Sequence, residues 1–110
     1  MDKLNVLEAL SALAHVTRLE VFRLLVQAGP AGLPAGEIAV NLEVRQNTMS
    51  SHLGILSRAG MIKKIRDGRV IQYSANYDGM RELLLYLLED CCRGDSAICS
   101  PIVDAITCTC

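Results

Sequence analysis

Apolar residues recur at helical spacing at Val6, Leu7, Leu10 and Leu13, and again at Leu19, Phe22, Leu25 and Val26. The interruption at His15-Val16-Thr17 divides the two sets, so the chain is expected to open with two helices. Gly29-Pro30 stops the second helix, and Ala31 to Pro34 reads as a loop. Ile38, Ala39 and Leu42 mark a short third helix over 35–42. After a break at Glu43-Val44 a fourth helix follows over about 46–59, closed by Gly60 as its C-terminal cap. Two β-rich runs, Met61 to Arg66 and Val70 to Ser74, flank Asp67-Gly68, a hairpin signal. Asn76 or Asp78 then caps a last helix that runs to about Cys92, with Gly94 beyond its end.

That order of elements predicts a mainly α fold with a small β-hairpin, the winged helix-turn-helix. The expected organisation is one DNA-binding and dimerisation domain over residues 1–93 and a cysteine-containing tail over 94–110. In the last helix Met80, Leu83, Leu84, Leu85, Tyr86, Leu87 and Leu88 go nearly all the way round. A domain of 110 residues rarely encloses a helix on every side, so a second copy of the chain is the simplest cover and a homodimer is expected.

Composition narrows the class. Hydrophobic residues make up 51% of the chain with one Phe, three Tyr and no Trp, which favours aliphatic helix packing. Asp2 and Glu8 near the start do not suit a signal peptide, and the run Leu83 to Leu88 is too short to cross a bilayer. A cytoplasmic protein without a membrane partner is the expectation.

Charge then points to a partner. The net charge is -1, but from Arg45 to Arg69 six bases (Arg45, Arg58, Lys63, Lys64, Arg66 and Arg69) face one acid, Asp67. The remainder holds five bases against eleven acids, so positive potential is confined to one segment, as phosphate contact requires. Double-stranded DNA is the expected partner. In the fourth helix Gln46, Asn47, Thr48, Ser50, Ser51 and His52 supply donors and acceptors that reach base edges and phosphates, while Met49, Leu53 and Leu56 hold the other face to the core. Gln46, Asn47 and Ser50 are assigned to bases, Ser51 and His52 to backbone or edge contacts. Arg66 and Arg69 flank the hairpin tip, within reach of the neighbouring minor groove or phosphates.

The stretch Leu10-Ser-Ala-Leu-Ala-His-Val-Thr-Arg-Leu19, the run Asn47-Thr-Met-Ser-Ser-His-Leu-Gly-Ile-Leu56, then Arg58-Ala-Gly-Met-Ile62 and Arg66-Asp-Gly-Arg69 through Tyr73 resemble the ArsR/SmtB metal- and metalloid-responsive repressors. The resemblance covers roughly residues 4 to 90. It implies a homodimer, paired through its first and last helices, that represses its own operon and leaves DNA when an inducer binds. Arg45 departs from the pattern, because the family usually places a serine or similar cap there.

The five cysteines fall at 91, 92, 99, 108 and 110, with none in the preceding ninety residues. Such clustering suggests a soft-ion or redox site rather than scattered core thiols. The cysteine pair of many arsenic sensors is missing from Leu33 to Ile38, and Met80 to Glu89 has no histidine of the zinc-sensor kind. Cys91, Cys92 and Cys99 instead resemble a less common subgroup with an arsenite site at the end of the last helix. Three thiolates balance the charge of trivalent arsenic or antimony, and soft ions prefer sulfur. Cadmium, lead or zinc would favour a fourth ligand, for which Cys108 or Cys110 could serve. Disulfide formation under oxidant is a further alternative on the same scaffold. No histidine lies near the cysteines and no Cys-x-x-Cys pair occurs, so an enzyme is not expected and no resident cofactor is required.

Overall fold

The computed structural model describes residues 1–89 and 96–106. Its elements run α1 (Lys3–Leu13), α2 (Val16–Ala28), β1 (Leu33–Pro34), α3 (Ala35–Leu42), α4 (Gln46–Arg58), β2 (Ile62–Asp67), β3 (Val70–Ala75), α5 (Tyr77–Leu88) and α6 (Ser96–Ile106). A three-stranded antiparallel sheet in the order β1-β3-β2 packs beside the helices, which is the winged helix-turn-helix architecture.

The first two helices both start on side-chain caps. Asp2 accepts a hydrogen bond from the Asn5 N–H at 2.9 Å, and His15 Nδ1 accepts from the Thr17 N–H at 3.1 Å, each satisfying a donor left open in a first turn. The two expected helices form, and their inward faces are not the leucine faces. In α1 the buried residues are Val6, Ala9 and Ala12, whereas Leu7 and Leu10 are exposed; in α2 Val21, Phe22 and Leu25 are buried and Leu19 is exposed. Small side chains let α1 lie close to its neighbours, and the leucines remain outside.

The stretch 31–34 contains a strand where a loop was expected. Leu33 pairs with Tyr73 and Pro34 with Gln72. Proline is tolerated because β1 is an edge strand. Gly32 makes this possible: its φ is +74°, and a Cβ there would collide with the Tyr73 carbonyl. The hairpin turn also differs by one residue. Asp67 pairs with Val70, so Gly68, at φ +65°, and Arg69 form the turn rather than Asp67-Gly68.

Leu25, Ile38, Met49, Leu53, Leu56 and Met61 are fully buried and tie α2, α3 and α4 to the root of the hairpin. Beyond Ile62 every β2 residue is exposed, so the wing projects into solvent. In α5 Gly79 and Leu83 are the buried positions, while Leu84, Leu85 and Leu87 are exposed. Within the tail expected over 94–110, residues 96–106 form a helix with Pro101 inside it. An apolar groove of ≈ 690 Å³ runs between Met80, Leu84, Leu85 and Leu88 of α5 and Ile102, Val103 and Ile106 of α6. Among the described residues no helix is long and apolar enough to cross a membrane.

Candidate nucleic-acid interface

The helix-turn-helix is set by a tight turn. Glu43 adopts φ +55° and ψ 46° at the end of α3, and the Val44 N–H returns to the Ala39 carbonyl at 3.0 Å. That left-handed residue ends α3 and lets α4 begin three residues later. Arg45 occupies the N-cap of α4 without a side-chain cap hydrogen bond, and Asn47 Oδ1 accepts from the Thr48 N–H at 2.8 Å. Asparagine thus relieves part of the deficit that the unusual arginine leaves.

Gln46, Asn47, Thr48, Ser50 and Ser51 are all exposed on the first turns of α4. Met49, Leu53 and Leu56 bury the opposite side and fix which way the polar face points. Ser51 Oγ also donates to the Asn47 carbonyl at 3.4 Å, a long contact that a phosphate or base can replace. Arg66 and Arg69 are exposed on the wing, together with Lys63 and Lys64. Lys63 reaches Asp78 at 4.0 Å, but both side chains are open to water, so the pair leaves the basic character of the wing intact.

His52 is placed differently from its neighbours. It lies three residues after Met49 and four before Leu56, which sets it beside the buried stripe, and it is half-buried. Its ring centroid is 4.7 Å from that of His15, with the planes tilted by 45°. Arg18 Nη1 lies 3.5 Å from His52 Nδ1, at the outer limit of a hydrogen bond. Burial, then His15, then Arg18 push the His52 pKa below its ordinary 6.5. The sequence assigns Arg18 and His15 no site role: one is a base on the second helix and the other lies in the break before it. Their contacts with His52 join residues 34 or more positions apart, and only the fold reveals them.

Arg58 is exposed at the end of α4 and lies with Arg18, Leu7, Glu8 and Ile55 around a cleft between α1 and α4. Of the expected ion ligands, Cys91, Cys92, Cys108 and Cys110 lie outside the described residues, as does the side chain of Cys99, a position on α6. Among the described residues no group of three or more His, Cys, Asp or Glu side chains could hold a metal ion.

The helix-turn-helix domain family matches residues 13–65. The chain is 32% identical over 85 residues to the transcriptional repressor SdpR of Bacillus subtilis, spanning 77% of this chain and 91% of that protein. Its fold is similar to an ArsR-like transcriptional regulator from Rhodococcus, with a TM-score of 0.68 and 25% identity over 93% of this chain and 89% of that one. The chain belongs to the ArsR-type winged helix-turn-helix transcriptional regulators. This family is one of DNA-binding regulators and not of enzymes.

A homodimeric winged helix-turn-helix DNA-binding domain from Mycobacterium bovis has TM-score 0.64 and 27% identity over 76% of both chains. A larger relative shares the same stretch of chain. An uncharacterised HTH-type transcriptional regulator of Methanocaldococcus jannaschii is 35% identical over 89 residues, which are 79% of this chain and 22% of that protein.

Proposed function

We propose that this ArsR-type regulator is a homodimeric, cytoplasmic transcriptional repressor whose C-terminal thiols bind trivalent arsenic or antimony and thereby release operator DNA. One observation carries the DNA-binding half: the exposed polar face of Gln46, Asn47, Thr48, Ser50 and Ser51 stands next to a solvent-projecting wing with Arg66 and Arg69 at its tip. Such a helix start enters a major groove, and the wing basic residues meet phosphates or the minor groove alongside.

Dimerisation through α1 and α5 is supported by apolar surface that the single chain leaves open. Leu4 is 74% and Leu7 55% exposed on α1, and Leu85 is 63% exposed on α5. Side chains of this size on two neighbouring helices are costly in water and are covered by a second copy at about 25 cal/mol per Å². Leu84→Glu or Leu85→Glu should convert the dimer to monomer in sedimentation. A folded dimer in both variants would move the interface elsewhere.

The inducer is argued from the donor set. Cys91, Cys92 and Cys99 offer three sulfurs within nine residues, matching a trivalent, thiophilic ion; Cys108 and Cys110 add the fourth sulfur that cadmium, lead or zinc would use. Ion binding beside the end of the pairing helix would shift the packing of the two subunits. The two recognition helices would then lose the separation of half-sites one DNA turn apart. The test adds arsenite or peroxide to reduced, operator-bound protein. Near-ultraviolet absorbance from arsenic-thiolate bonds should rise as DNA is released. Release by peroxide but not by arsenite would make the repressor a redox sensor.

A further inference from the structure

One guanidinium joins three elements behind the reading face. Arg18 starts on α2, its Nε donates to the Ala12 carbonyl at 2.6 Å, and its Nη1 lies 3.5 Å from Nδ1 of His52 on α4. Ala12 belongs to the last turn of α1, where carbonyls have no intrahelical donor. A charge-assisted bond from arginine satisfies that oxygen and meets the negative end of the helix dipole. On the other side, the neutral His52 ring accepts at Nδ1 when its proton is on Nε2. His15, held by the Thr17 N–H, packs against the same ring and limits where it can turn.

We propose that Arg18 is a positioning residue for DNA recognition. Its planar fork fixes the rotation of α4 relative to α1, and so sets where Gln46, Asn47 and Ser50 meet base edges, while Arg18 itself does not touch DNA. His52 is the handle on α4, because it leaves the helix on the flank of the buried stripe rather than from the polar face. The same fork ties the reading helix to α1, whose outer side carries Leu4, Leu7 and Leu10. The orientation of each reading helix is thereby locked to the helix assigned to the dimer frame. The proposal rests on the DNA-reading role given to α4 above.

The experiment measures binding of wild type, Arg18→Gln, Arg18→Lys, His52→Ala and the double variant Arg18→Gln/His52→Ala. The probes are duplex DNA from upstream of the chain's own coding sequence and a random duplex of equal length, each over a range of salt. Thermal unfolding is recorded alongside. Arg18→Gln should lower affinity for the upstream duplex roughly 10-fold while the random duplex changes less than about 2-fold, with the salt slope unchanged. Arg18→Lys should not restore the specific affinity, because a point charge lacks the rigid fork. The double variant should be no worse than the poorer single one.

A fall in the salt slope of about one would make Arg18 a phosphate contact and overturn the positioning role. Equal loss on both duplexes with a lowered melting temperature, or full recovery with lysine, would overturn it as well. Should Arg18→Gln not fold, His52→Ala alone carries the test by the same criterion of specific against random affinity. Failure of the wild type to discriminate the duplexes would instead remove the DNA-reading assignment of α4, and the positioning role with it.

Discussion

Asn76 Nδ2 donates to the Gly60 carbonyl at 2.8 Å, while Asn76 Oδ1 accepts from the Gly79 N–H at 3.2 Å. One side chain therefore caps α5 and also holds Gly60, which lies just past the C-cap of α4. The Asn76 N–H bonds the Met61 carbonyl at 2.9 Å, so backbone and side chain together fasten the base of the wing.

Asn76→Ala removes both a helix cap and a part-buried bond, and should cost about 1–3 kcal/mol. Asn76→Asp keeps the cap acceptor but loses the donor to Gly60, and should fall between Asn76→Ala and wild type. Urea unfolding checks the order. Equal stability of the alanine variant and the wild type would show that neither bond contributes.

Gly32→Ala places a Cβ against the Tyr73 carbonyl at a residue with φ +74°. Backbone strain and the clash act together, so a loss of about 2 kcal/mol or more is expected, with β1 detached from β3. Gly29→Ala shares the left-handed φ, +88°, but meets no atom within 4 Å, and should cost less. Thermal melts of the two variants compare strain with strain plus collision.

The depressed His52 pKa makes stability fall in acid. The unfolded imidazole takes up its proton near 6.5 and the folded one only at lower pH, so between those values the unfolded state binds more protons. Stability should be flat above about pH 6.5, decline as pH drops through this window, and level off below the folded pKa. His52→Gln should remove this part of the pH dependence. The same decline in that variant would assign it to other groups.

The order of α1 to α5 and of the hairpin was legible in the sequence because helical spacing, Gly60 and the break at Glu43-Val44 mark local chemistry, whereas α6 lies in the stretch read as a tail. Which leucines face inward was not, since periodicity cannot rank Leu7 and Leu10 against Ala9 and Ala12 when the core has room for small residues only. β1 was missed because two residues ending in proline give no alternation to read, and its pairing with β3 is long-range. The polar face of α4 was readable from composition, but His52 was grouped with it by adjacency. Its place three residues after Met49 was the available signal that it flanks the buried stripe.

Base reading and phosphate contact should separate in mutagenesis. Ser50→Ala and Asn47→Ala should each weaken operator binding by about 1–3 kcal/mol and relax specificity, whereas Arg69→Ala should lower the salt slope by about one with specificity kept. Unchanged operator affinity in Ser50→Ala and Asn47→Ala would place the reading face elsewhere.

Coupling of the C-terminal thiols to operator release is tested most directly by fluorescence anisotropy of a labelled operator duplex titrated with arsenite. Reduced wild type should lose about 5–150-fold in operator affinity on binding the ion, as expected for linked sites. Cys91→Ser, Cys92→Ser and Cys99→Ser should each stay on DNA, and Cys108→Ser/Cys110→Ser should still release. Wild type that remains bound at saturating arsenite would contradict the account, and loss of the response in the terminal double variant with its retention in Cys99→Ser would contradict the three-sulfur site.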